Sequence, residues 1–279
     1  MKRSILVWWM ILSSISVFAD QSTCNSEVVT RKSAQNCFHL RGENQGRADS
    51  NAFKAAQIYE VLAEGAADKV EQAEYLVAQS EALFFYGVKR ESTQEKINTH
   101  KKGYEAAWKA KVNLEGEGLV DEQATLLARA LYFWGANFGK WGEPQSAAVK
   151  AQNWPKLKNQ MERIISMGQA AVENYGANRI LGRAFFKLPW PLGGDKKSYE
   201  KLIVAFNKTL DPATGISTHS TNNLYLAETL ISIDEDEELE QARMILTKML
   251  EVGTSMDPNR VPETAEDLVL AQELLDDLD

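Results

Sequence analysis

The sequence predicts an all-α protein made of stacked antiparallel helical hairpins, on three observations. Apolar residues recur three and four positions apart through most of the chain, the spacing that gathers them on one helix face. Alternating Val/Ile/Thr runs, the mark of half-buried strands, are missing. Glycine, proline and acidic breaks cut the periodic stretches into roughly ten segments of about 12 to 22 residues joined mostly by short turns.

Taken in order, the first element is a leader. Lys2 and Arg3 precede an apolar run over 5–18, and Val17-Phe18-Ala19 puts small residues at the two positions a signal peptidase reads. The run is short for a transmembrane helix, so residues 1–19 are expected to be a signal peptide cut after Ala19, with the mature chain in the periplasm. No lipid anchor is expected, because the first cysteine, Cys24, follows Gln21-Ser22-Thr23 rather than a Leu-small-small triplet. Residues 20–50 form an N-terminal arm. Its two cysteines, Cys24 and Cys37, are close in sequence and most simply form a disulfide in an oxidising compartment.

Residues 51–279 form the helical domain. The periodicity predicts helices over 51–64 and 71–88, the second apolar on nearly every face and so buried between neighbours. An amphipathic helix follows over 93–114, with Ile97, Tyr104, Ala107 and Leu114 on one face. After a break at Glu115-Gly-Glu-Gly118, a helix over 121–138 carries Ala124, Leu127, Leu131, Trp134 and Phe138. A loop rich in Gly, Pro and Trp is expected over 139–155, then a helix over 157–175 stopped by Gly176, and a short one over 179–188. Pro189-Trp-Pro-Leu-Gly-Gly-Asp195 breaks the pattern, with Asp195 as N-cap of a helix running to Leu210. Helices over 222–233, 237–252 and 263–278 complete the set. Ala242, Leu246 and Met249 match the second helix of a tetratricopeptide repeat (TPR), but no 34-residue period is kept, so the array is a degenerate TPR-like one.

The formal charge is −8, and it becomes −10 once Lys2 and Arg3 leave with the leader. An acidic chain without a Lys/Arg-rich block is poorly suited to nucleic acid or anionic membrane. Three histidines, His39, His100 and His219, stand at no metal-ligand spacing; phosphate loops and nucleophile elbows are absent. The expectation is a binding protein, not an enzyme, with no metal or cofactor.

Two clusters are candidates for binding. In 131–141, spacing assigns Trp134 and Phe138 to the core, while Tyr132, Asn137 and Trp141 fall off that stripe. They suit either a binding surface or the sealing of a helix–loop corner. In 179–195, Arg179 and Arg183 share a helix face and, with Lys187, could receive a carboxylate or pair with internal Glu and Asp.

These blocks carry a resemblance. Ala130-Leu-Tyr-Phe-Trp-Gly-Ala-Asn-Phe-Gly-Lys-Trp141, Arg179…Gly182-Arg183…Leu188-Pro189…Gly193-Gly194-Asp195, Asn223-Leu-Tyr-Leu-Ala-Glu228 and Pro262-Glu263…Asp267…Ala271 resemble the T-component of tripartite ATP-independent periplasmic (TRAP) transporters. The resemblance spans roughly 124–278, and its second block is the most specific. It implies a TPR-like fold, a periplasmic location, homo-oligomers in some members, an apolar channel, and a protein partner: a solute-binding subunit that carries small organic ligands. The chain departs from the family's usual lipoprotein start. The expected binding residues are Tyr132, Trp134, Asn137, Trp141, Arg179, Arg183, Lys187, Asp195 and Asn223. Two functions are expected to compete, docking of a protein partner and carriage of an apolar or carboxylated small molecule in an internal channel.

Overall fold

The computed structural model describes Cys24 and residues 26–45, 47–116, 119–189 and 191–278. The leader and its cut after Ala19 lie outside the described residues. Among those residues the protein is all-helical, with eleven α-helices, one 3-10 turn and no strand. No helix among them is long and apolar enough to cross a membrane.

The helices are α1 (Arg31–His39), α2 (Asn51–Glu64), α3 (Lys69–Val88), α4 (Thr93–Leu114), α5 (Asp121–Gly142) and α6 (Ala147–Ser166). They continue as α7 (Val172–Lys187), α8 (Asp195–Lys208), α9 (Ser220–Ile233), α10 (Asp236–Val252) and α11 (Val261–Asp276), with the 3-10 turn at Gly253–Met256. Side-chain caps explain several starts. Ser50 accepts from the Phe53 N–H at 3.4 Å, and one Asp68 carboxylate oxygen accepts from Val70 and Glu71 at 2.8 and 2.9 Å. Each helix packs on its neighbours in sequence, and α3, α5, α7, α9 and α11 also touch in succession. The odd-numbered helices therefore make one layer and the even-numbered ones flank it.

The apolar stripes close two cores. The larger runs from Ala34 to Phe185 through α1–α7, and the second from Leu202 to Ala271 through α8–α11. Close helix approach needs missing side chains. A Cβ on Gly103 of α4 would stand 2.4 Å from the Asn137 side chain on α5, so only glycine fits.

The arm is part of this array. The Cys24–Cys37 disulfide is present, Cys37 is fully buried, and α1 packs on α2. Arg41, just beyond α1, then reaches the far end of the chain. Its guanidinium donates to both Glu263 oxygens at 3.0 and 3.2 Å and to the Asn259 carbonyl at 2.8 Å. Lys89, at the end of α3, pairs with Glu266 of α11, so contacts from the ends of α1 and α3 both hold the last helix.

Three expectations change. The loop over 139–155 shrinks to the turn between α5 and α6, and α6 runs straight through Pro155. Pro155 and Ala151, whose carbonyl loses its donor, both face solvent, while Trp154, Leu157, Met161 and Ile164 bury the other face. The helix expected over 157–175 ends at Ser166, where Gly168 takes φ 74° and turns the chain. Gly168, Ala171 and Tyr175 therefore do not continue its stripe, and Gly176 lies inside α7 rather than stopping a helix. Asp195 is not the N-cap of α8. Gly194 holds that position at φ 120°, a conformation side chains avoid, and Asp195 is the first helical residue.

Candidate functional site

Most of the residues singled out from sequence are joints between helices. Asn137 on α5 has no exposed surface. Its amide donates to the Ser80 carbonyl and hydroxyl at 3.0 and 3.1 Å and to the Phe133 carbonyl at 3.1 Å. That leaves Oδ1 to accept from His100 Nδ1–H at 3.0 Å. Burial holds the His100 imidazole down at about 4, so it stays neutral. Trp134 is buried and stacks on Phe138 at 4.6 Å. Phe138 stacks in turn on Trp141, which is half-buried at the end of α5.

Arg179 sits at the seam between the two cores. Its guanidinium donates to Asn222 Oδ1 at 2.9 Å, the Tyr132 hydroxyl at 2.8 Å, and the carbonyls of Asn174 and Glu173 at 3.2 and 3.1 Å. Those carbonyls belong to an unusual turn. Glu173, Asn174 and Tyr175 are all left-handed, with φ 51°, 54° and 60°, and such residues cost roughly 1–2 kcal/mol each. Arg179 and the Asn222 amide, which donates to the Asn174 carbonyl at 3.2 Å, clamp that turn. Arg183 grips Glu228 with two hydrogen bonds, 2.6 and 3.3 Å, beneath the Tyr225 ring. Asn223 is fully buried and pins the Ser217 amide and carbonyl at 2.8 and 2.9 Å. Asp195 is partly buried in the first turn of α8, and Lys187 is exposed at the end of α7, with no ion pair to a described residue.

An opening lies elsewhere. α1, α2, α3 and the first half of α5 wall a groove of about 510 Å³. Leu126, Tyr75 and Ala78 give it apolar surface, and Arg31, Glu74 and Glu122 add charge. Arg31 pairs with Glu74 and lies over the Tyr75 ring, 5.2 Å from its centroid. Arg129 and Glu81 form the deep part of the lining. The Arg129 guanidinium bridges two carboxylates, donating to Glu81 at 3.1 Å and Glu173 at 3.0 Å.

Burial, followed by the nearby Glu173 charge, pushes the Glu81 carboxyl up to about 7. Tyr59 is 6% exposed, yet its side chain reaches this lining beside Glu81, Arg31 and Arg129, and its hydroxyl has no hydrogen-bond partner among the described residues. Burial raises that phenol to about 12, which keeps it a neutral donor.

The groove residues went unselected in the sequence, although a signal was there. Glu81 directly precedes the apolar run Ala82-Leu-Phe-Phe85, and Arg129 stands between Leu126-Leu-Ala128 and Ala130-Leu131. A charge inside an apolar run needs a partner or a pocket. Among the described residues, no group of three or more His, Cys, Asp or Glu side chains is arranged to hold a metal. Searched against models of protein families the chain matches none, and no curated protein matches its sequence.

Proposed function

We propose that this protein is a periplasmic TPR-like interaction subunit that docks a solute-binding protein of a TRAP-type transport system. The supporting observation is the ends of α5 and α7, which lie close enough for Lys187 to feel the Lys140 and Glu143 charges. There Trp141 offers a half-buried aromatic face and Lys187 an exposed cation, while the neighbouring Asn137 and Arg179 are locked into the scaffold. An amphipathic aromatic near an exposed cation on a rigid base suits an interface anchor. The four sequence blocks that resemble the T-component point to the same class of partner. The test is capture of a TRAP-type solute-binding subunit by the tagged mature protein. A Trp141→Ala, Lys187→Glu double variant should keep its helical circular dichroism and lose the subunit. Failure of the unaltered protein to capture any such subunit would overturn the reading.

A second reading is favoured by one specific observation, the groove. Its volume of about 510 Å³ falls in the range of small-molecule sites. On this reading the protein carries a small organic molecule, held between α1, α3 and α5 rather than beside Tyr132 and Arg183, whose polar groups are engaged within the fold.

A further inference from the structure

We propose that the α1/α3/α5 groove receives a small organic cation, a primary ammonium group on a short apolar stem, with the ammonium held by the Glu81 carboxylate and the Tyr59 hydroxyl. The inference rests on the carrier reading above and supplies the ligand's chemistry.

The first support is charge. Glu74, Glu81 and Glu122 line the groove and Glu173 joins them through Arg129, against two lining guanidinium groups, Arg31 and Arg129. Both guanidinium groups are already matched, Arg31 by Glu74 and Arg129 by two carboxylates. Arg41 and Arg260 also stand near Glu81, but Arg41 is paired with Glu263, and Arg260 lies within electrostatic reach of the Asp257 and Asp267 carboxylates. The surplus in the groove is therefore negative, and a carboxylate ligand would find no unmatched cation there.

The second support is independent of charge. The Tyr59 side chain is more than nine-tenths buried yet lines the groove, and its hydroxyl has no hydrogen-bond partner among the described residues. The hydroxyl oxygen is itself accessible where the side chain lines the groove, so its lone pairs can accept from a ligand donor. An ammonium supplies three donors and no acceptor, so it can donate to both the Tyr59 oxygen and a Glu81 carboxylate oxygen. Tyr75, Ala78 and Leu126 offer the surface for the stem, and aromatic rings also favour a nearby cation.

Binding should displace a proton. Glu81 faces Tyr59 from α2, Arg129 from α5, Glu173 from α7, and Arg41 and Arg260 from the segments before α2 and α11. Among these groups it is the carboxyl that holds a proton near neutral pH, and an arriving ammonium replaces it.

The experiment is isothermal titration calorimetry of the mature protein, without any protein partner, against 1,5-diaminopentane, with glutarate as the anionic counterpart of the same length. The diamine should bind, glutarate should not, and at pH 6 the observed heat should change with the ionisation enthalpy of the buffer as a proton is released. Glu81→Gln should weaken binding about ten- to hundredfold, and the isosteric Tyr59→Phe about three- to tenfold. Glu240→Gln on the exposed side of α10 should leave it unchanged. If Glu81→Gln fails to fold, Tyr59→Phe carries the test. No diamine binding at millimolar concentration, preference for glutarate, or full affinity in Tyr59→Phe would each overturn the proposal. Because no partner is present, failure here is distinct from failure to capture a solute-binding subunit.

Discussion

Arg129 and Arg179 sit on neighbouring helices, and both reach the same left-handed turn at Glu173, yet they live in different surroundings. Arg179 is 4% exposed and spends its donors on Tyr132, Asn222 and two backbone carbonyls. Arg129 keeps 37% of its side chain accessible, bridges two carboxylates and looks into the groove. The first is a joint that holds two cores together. The second belongs to a surface with unmet polar capacity. Polar residues gathered on inner helix faces thus divide by what remains unsatisfied and reachable, not by residue type.

The largest effect should come from breaking the joint. Arg179→Met strands the Tyr132 hydroxyl, Asn222 Oδ1 and the two turn carbonyls, and at about 1–3 kcal/mol for each buried group left without its partner the loss should reach several kcal/mol. Urea unfolding should read that loss, and a cost below about 1 kcal/mol would mean that the seam is not held there.

A somewhat smaller effect contrasts the two regions through pH. His100 has a folded value of about 4, below its ordinary 6.5, because burial disfavours the imidazolium. Its contribution is therefore complete above about 6.5 and is lost as pH falls toward 4, on the order of 3 kcal/mol. Burial drives His219 down as well, in the same sense. Glu81 runs the other way. Its folded value is raised, so its contribution is present below about 4.5 and fades as pH rises through about 7. In unfolding free energy measured from pH 4 to 8, His100→Phe should flatten the acid limb and Glu81→Gln the neutral limb. Unchanged limbs in both variants would erase the electrostatic contrast.

The fold was legible where one apolar stripe meets one cap. The helix over 93–114 coincides with α4, and the one over 51–64 with α2. Reading failed where a rule about composition met tertiary packing. Pro155 signalled a loop, but a buried face of Trp154, Leu157 and Met161 carries the helix through it. Leu157, Met161 and Ile164 announce a helix whose spacing carries on to Tyr175, because nothing local reveals that an arginine and an asparagine will clamp a left-handed turn there. The candidate site was less legible for a related reason. Tyr132 and Asn137 stood out as polar or aromatic residues off the stripe, and Arg179 as one of two arginines on a shared helix face, which are equally the signatures of a buried joint. Tyr59 and Arg129 sit within apolar stretches and Glu81 at the edge of one, and only the assembled helices leave a groove beside them.

The difference in reach between the two arginines can be measured directly by treating the folded protein with phenylglyoxal and following each arginine by peptide mass spectrometry. The account predicts that Arg129 is modified while Arg179 stays protected until the protein unfolds. Equal labelling of the two, or faster labelling of Arg179, would contradict it.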